Sequence, residues 1–329
     1  GNKTITIRRN EITNRIASQT LYHKNDLNVK STLNTINTPN TTASKQNERA
    51  DEMRRVHATY PGYIDVSQSA ESGENVGVVK QMACTASVCG ATSSFILKRI
   101  LQDDGEVIRL DNIPPEMITR DKLAKIFVNG DWIGCCRKSH ELVRKYRIKR
   151  RHADPTRDIH YLTTIVWEPL IREVYFWTDV GRLMRPLVIV YNNLKAYVEN
   201  WKFGDKTVQF KQWIKLTRAH IRALQTRQIT IETLRQERVL EYLSPEESEN
   251  AFIAPNIEVL AEHSSDLRRM YTHCDIDQAI FGLITMASPL ANHSSGVRTT
   301  YYTSQRKQSV GWFALNYPFR IDKNTSFQH

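Results

Sequence analysis

The chain has 329 residues, with 46 Lys and Arg against 35 Asp and Glu, a formal net charge of +11 and 40% apolar residues. With only 13 Gly and 11 Pro, this composition excludes a collagen-like or low-complexity polymer and wholesale disorder. The length suits about two or three domains of ~100–200 residues, and the charge excess admits nucleic-acid contact without requiring it.

Residues 1–50 are polar, with weak helical spacing of Ile5, Ile7, Ile12, Ile16 and Leu21, and residues 31–48 read as an exposed Ser/Thr/Asn loop. Segment 53–80 carries Pro61-Gly62, Ser72-Gly73 and Gly77, which mark turns. Segment 82–101 reads as a buried strand and then a helix through Phe95–Leu101. Asn129-Gly130 between two β-rich runs predicts a hairpin on a type I′ turn. Ser139 is placed to cap a helix reaching Arg151. Its run of Arg144, Lys145, Arg147, Lys149, Arg150 and Arg151 reads as a solvated face.

Strands are expected over 161–167, 171–178 and 187–191. Residues 207–225 read as one helix with Phe210, Trp213 and Ile214 in the core. Residues 244–249 read as an acidic turn and 257–260 as a strand. After the apolar run 276–288, a small-residue loop leads through Arg298 into a helix bearing Arg306, Lys307 and Gln308. Loop amides beside an Arg suit phosphate oxygens.

There is no internal repeat. The fold class is α+β, with several small mixed lobes rather than one sheet. No run reaches the ~18–20 apolar residues of a membrane span, and residues 1–10 show no apolar signal core, so no membrane or secretory address is expected. Five cysteines without a C-x-x-C pair point to a reducing, intracellular setting and no zinc site. His57, His273, Cys274 and the vicinal Cys135-Cys136 pair read as structural.

Several blocks, in order, resemble the second-largest subunit of multisubunit DNA-dependent RNA polymerases. Arg54-Arg55-Val56-His57, Glu71-Ser72-Gly73-Glu74 and Gly77-Val78-Val79-Lys80 resemble its fork block. Residues 125–134 resemble the hairpin opening the first external domain, and Thr178-Asp179-Val180-Gly181-Arg182-Leu183-Met184-Arg185-Pro186-Leu187 its T-D-x-G-R-x-x-R-P-L block. Residues 241–254 are similar to an acidic block of the archaeal and eukaryotic branch. Tyr271-Thr272-His273-Cys274-Asp275-Ile276 and residues 293–308 resemble the start of the hybrid-binding domain. The chain departs from the family where Ser69-Ala70-Glu71-Ser72-Gly73 replaces Glu-Thr-Pro-Glu-Gly, and where Ser294-Ser295-Gly296-Val297-Arg298 replaces Asn-Gln-Ser-Pro-Arg. The drift suggests a divergent member, of archaeal/eukaryotic or large-DNA-virus type.

The resemblance implies four regions: 1–110 fork-like, 111–195 first external, 196–262 second external and 263–329 the beginning of the hybrid-binding domain. The family's N-terminal lobe and protrusion, and its later Glu-Asp pair, hybrid lysines and clamp zinc cysteines, have no counterpart here, so a central fragment is expected. It also implies that Arg298 contacts the incoming nucleotide's phosphates and that Lys307 and Gln308 face the RNA 3′ end. Arg54, Arg55, Glu71, Ser72, Lys80 and Arg306 are the implied nucleic-acid contacts. Magnesium would be held mainly by the largest subunit. The implied partners are that subunit, the other polymerase subunits, DNA template, RNA and nucleoside triphosphates. The alternative is a non-catalytic nucleic-acid-binding or scaffold protein derived from the same subunit.

Overall fold

Asn129 and Gly130 adopt φ of 50° and 88°, the left-handed pair that a type I′ turn needs, and this turn sets the register of the hairpin around it. The computed structural model describes residues 21, 23–37, 54–70, 76–152, 159–202, 208–277 and 279–310. In chain order these form α1 (Asp26–Leu33), β1 (Thr35–Ile36), β2 (Lys80–Gln81), β3 (Ser87–Val88), α2 (Ser94–Gln102), β4 (Val107–Arg109) and α3 (Pro115–Arg120). The hairpin strands β5 (Ala124–Val128) and β6 (Asp131–Cys136) follow, then α4 (Ser139–Arg151), β7 (Thr164–Glu168), β8 (Glu173–Trp177), β9 (Leu183–Asn192) and α5 (Leu194–Lys202). The remainder is β10 (Gln212–Ile214), α6 (Arg218–Gln225), α7 (Ile231–Gln236), β11 (Leu240–Leu243), α8 (Pro245–Glu249), β12 (Ile253–Ala254), α9 (Ile257–Glu262), β13 (His273–Cys274), α10 (Leu283–Met286) and α11 (Gly296–Gln308). The fold is α+β, with small mixed sheets distributed over two units.

The larger unit comprises residues 56–66 and 82–282. Its first sheet runs β4-β6-β5-β8-β7, antiparallel except for the parallel β5–β8 pair. Strand β5 alternates buried and half-buried residues, so Ile126 and Val128 enter a core with Leu101, Leu142, Tyr146, Ile165 and Phe176. The second sheet is organised on β9, which pairs with β3, β10, β11 and β13. Val188 and Val190 of β9 join a second core with Leu240, Ala254 and Cys274.

Several sequence expectations fail here, each for a local reason. Residues 207–225 are not one helix: Trp213 and Ile214 pair with Tyr191 and Val190 of β9, and α6 starts afresh at a Thr217–His220 capping box. Phe210 is buried as expected, but Trp213 is exposed, its ring lying against Tyr191. Residues 257–260 are helical because the Asn256 side chain accepts from the Val259 amide at 2.8 Å and so caps α9. Ser139 does not cap α4 but is its first, buried, residue. The acidic turn is the short helix α8, capped by Ser244. Of the strand expected after residue 82, only the exposed β3 forms.

The smaller unit comprises residues 1–55, 67–81 and 283–329. The expected loop 31–48 instead begins with the end of α1 and with β1, which pairs with β2; its residues 38–48 and the weak spacing over Ile5–Ile16 lie outside the described residues. Helix α1 is nucleated by Asn25, whose Oδ1 accepts from the Asn28 amide at 2.7 Å.

Candidate functional site

In the smaller unit, α11 carries the residues that the sequence singles out most strongly. Ser295 caps it by accepting from the Arg298 amide, and the helix contains no Asp or Glu. Thr299, Thr303 and Ser304 are its buried side. Arg298, Tyr301, Gln305 and Gln308, spaced three and four residues apart, form an exposed stripe. The Arg298 guanidinium lies 6.0 Å from the Tyr301 ring centroid, an arrangement in which the ring face attracts the cation. The stripe spans roughly 15 Å, at ~1.5 Å rise per residue.

Structure divides the predicted set. Arg298 and Gln308 share the outward face, and Arg306 is exposed beside it, whereas Lys307 is half-buried and about half a turn round the axis from Arg298. The last turn is closed by Asn25, whose Nδ2 donates to the carbonyls of Arg306, Lys307 and Ser309 at 3.3, 3.2 and 2.6 Å. One side chain thus starts α1 and finishes α11. Thr300 donates to the Ser67 carbonyl at 2.6 Å, and the Ser67 and Thr285 hydroxyls are 3.1 Å apart, which fixes the rotation of α11.

Arg54 is committed locally. It donates to the Val76 carbonyl at 2.7 Å, and Gly77, at φ 74°, sits where a Cβ would run into the Arg54 backbone. Arg55 is exposed. Lys80 is half-buried on β2, opposite Ile36. Glu71 and Ser72 lie outside the described residues.

The larger unit holds a charge cluster that sequence reasoning missed, and it overturns the solvated reading of α4. Arg150 is 1% exposed. Its guanidinium donates to Glu241 at 2.5 Å, to Glu247 at 2.7 Å and to the Thr163 carbonyl at 2.8 Å. Arg151 pairs with the other Glu241 oxygen at 2.8 Å, and His273 Nε2 lies 3.1 Å from it. Arg147 Nε is 3.2 Å from Glu247 without hydrogen-bond alignment, while its Nη2 donates to the Ile165 carbonyl at 3.0 Å. Burial alone would raise the Glu241 carboxyl, but Arg150 and Arg151 hold it well below the usual range. Burial pushes His273 down, in keeping with a neutral ring donating from Nε2. The signal was available: Leu142, Tyr146 and Arg150 recur at four-residue spacing, so Arg150 continues the buried stripe.

A second anchor joins three of the sequence blocks. Arg185 pairs with Asp275 at 2.7 Å and lies 5.1 Å from the Tyr63 ring centroid. Gly62, at φ 81°, leaves room for the Arg185 side chain that a Cβ would occupy. The Tyr63 hydroxyl donates to the Leu243 carbonyl at 3.0 Å, and burial pushes its pKa up to about 12.

Among the described residues, no group of three or more His, Cys, Asp or Glu is arranged to hold a metal ion. No helix of the described residues is long and apolar enough to cross a membrane. All five cysteines are free, and burial pushes Cys136 up to about 12, which suppresses thiolate chemistry.

Comparison with known proteins agrees with the order of these blocks. The family model described as RNA polymerase Rpb2, domain 3, matches residues 19–88, and that described as RNA polymerase Rpb2, domain 4, matches residues 126–191. The chain is 30% identical over 302 residues to "DNA-directed RNA polymerase II subunit RPB2" of Encephalitozoon cuniculi, covering 91% of this chain and 24% of that protein. The chain belongs to the family of second-largest RNA polymerase subunits. It is also 30% identical to "DNA-directed RNA polymerase subunit Rpo2" of Saccharolobus shibatae, over 84% of this chain and 23% of that subunit. "DNA-directed RNA polymerase II subunit 2" of Arabidopsis thaliana is 27% identical over 91% of the chain and 24% of its own length. The chain thus spans about a quarter of the length of these curated relatives. The match to domain 4 runs from Ile126 within β5 to Tyr191 within β9 and takes in Arg182 and Arg185, and the match to domain 3 takes in Arg54 and Lys80.

Proposed function

We propose that this chain forms part of the active-centre wall of a DNA-directed RNA polymerase, a nucleotidyltransferase, and is inactive alone. The observation that carries this reading is the exposed Arg298–Tyr301–Gln305–Gln308 stripe, on a helix without a carboxylate, in a chain whose family is that of polymerase subunits. In nucleotide addition the 3′ oxygen attacks the α-phosphorus and pyrophosphate leaves, so negative charge builds on phosphate oxygens. Arg298 offers a planar guanidinium for two such oxygens, and Gln308 a neutral amide for positioning at the RNA 3′ end. Lys307, Arg306, Arg54, Arg55, Lys80, Glu71 and Ser72 are the remaining contacts in this reading. In this reading magnesium is held mainly by the largest subunit, and this chain's part is to bind and orient phosphate oxygens through Arg298.

In this reading, regions 1–110, 111–195, 196–262 and 263–329 are the fork-like region, two external domains and the beginning of the hybrid-binding domain. The partners are the largest and other polymerase subunits, template DNA, RNA and nucleoside triphosphates, in an intracellular setting. Arg298→Ala in the assembled enzyme raises the apparent KM for nucleotides and slows addition when they are scarce. An unchanged elongation rate at low nucleotide overturns the phosphate role and favours a scaffold derived from the same subunit.

A further inference from the structure

In the larger unit, a groove of about 570 Å³ runs along α4 against β7 and β9. One wall carries Arg144, Arg147 and Arg151, spaced three and four residues apart on a single helix face. Interleaved with them, and opposite, are Val143, Ile148, Trp167 and Val190. Along α4 the groove is basic and apolar, and Asn192 and Asn250 add polar groups to its lining.

Among the described residues its charge is not balanced from below. Four guanidiniums, of Arg144, Arg147, Arg150 and Arg151, stand over two buried carboxylates, those of Glu241 and Glu247. Glu168 lies at the Asn250 end, where it accepts from the Asn250 side chain at 3.4 Å. Arg144 is exposed and makes no ion pair among the described residues. Beyond the groove-lining Pro169, the β7–β8 turn presents Leu170, 96% exposed, and Ile171, 58% exposed. Two adjacent exposed aliphatic side chains beside a groove mark a surface that gains by being covered.

We infer that this groove docks an acidic, amphipathic segment of a partner protein, its carboxylates on Arg144 and its apolar side chains over Ile148 and Leu170. Charge complementarity selects the sign of the partner and the apolar wall selects a polypeptide. Nucleic acid is the weaker fit. Its affinity comes from many phosphates at once, and here Arg147, Arg150 and Arg151 are already committed to carboxylates. The inference does not depend on the role of α11.

The test is fluorescence anisotropy with the full chain and three labelled probes of about 20 units: an amphipathic Glu/Leu peptide, poly-Glu and oligo-dT. The Glu/Leu peptide is expected to bind more tightly than the other two. Arg144→Glu and Ile148→Asp, both at exposed positions, are each expected to weaken it about tenfold, a cost of roughly 1.4 kcal/mol, with thermal unfolding unchanged. Equal or tighter binding of poly-Glu overturns the apolar part of the inference. Tighter binding of oligo-dT that Arg144→Glu abolishes reassigns the groove to nucleic acid. Binding of the Glu/Leu peptide that ignores both substitutions removes the groove altogether.

Discussion

The two units are packed in opposite ways. The larger one buries two apolar clusters and adds the Arg150–Glu241–Glu247 network. In the smaller, among the described residues, Val78 and Ile284 are the buried apolar side chains, while Ser31, Gln68, Gln81, Thr285, Thr299, Thr303 and Ser304 are buried and polar. A buried aliphatic side chain stabilises by about 1.5–3 kcal/mol, a satisfied hydrogen bond by about 1 kcal/mol. The larger unit therefore owes its stability to area. Among the described residues of the smaller unit, hydrogen bonds from Thr300 and Asn25 set the orientation of α11.

The severest challenge to the comparison is Arg150→Met. Removing the cation leaves Glu241 and Glu247 buried without their shared partner, and the larger unit is expected to lose about 3–5 kcal/mol, read as a lower denaturant midpoint. A surface-like change of under about 0.5 kcal/mol restores the solvated reading of α4.

Acid is the next lever. His273 titrates below the free histidine value of about 6.5 and Glu241 below the free carboxylate value of about 4.3. In both cases the unfolded chain binds more protons, so stability falls as pH drops, first through His273 from about pH 6.5 and then through Glu241 below about pH 4.3. Urea midpoints across this range check the sign; a midpoint that rises on acidification contradicts the assignment of a neutral, buried His273.

The smallest effect sharpens the other side. Asn25→Ala removes one N-cap and the donor to the α11 carbonyls, at a cost of about 1–2 kcal/mol. Hydrogen exchange is expected to quicken at both the start of α1 and the end of α11, leaving β5 and β9 unchanged. Equal quickening of β9 means that the two units do not differ as described.

Local signals were legible wherever a few neighbours decide the outcome. Asn129-Gly130 announced its turn, and the run Phe95–Leu101 its helix. They failed where a distant strand decides: Trp213 and Ile214 have helical spacing but are claimed by β9, and Ile257–Leu260 look β-like until Asn256 caps them. The site divides along the same line. Arg298 and Gln308 could be chosen from sequence because motif order carries them, but that Lys307 turns inward follows from the rotation set by Thr300 and Ser67. The pairing of Arg150 with carboxylates 91 and 97 positions away has no one-dimensional signature beyond its place on the buried stripe.

Strand β9 also imposes a timetable on synthesis. Its buried run Leu187–Val190 emerges from the ribosome long before β10, β11 and β13, its later partners, and the last of these, at His273–Cys274, lies some 80 residues downstream. At roughly 5–20 residues per second, this leaves an apolar edge unpaired for about 4–16 s. Over that interval the nascent chain presents unpaired backbone donors and acceptors on which a neighbouring strand can pair, a hazard that the finished sheet closes.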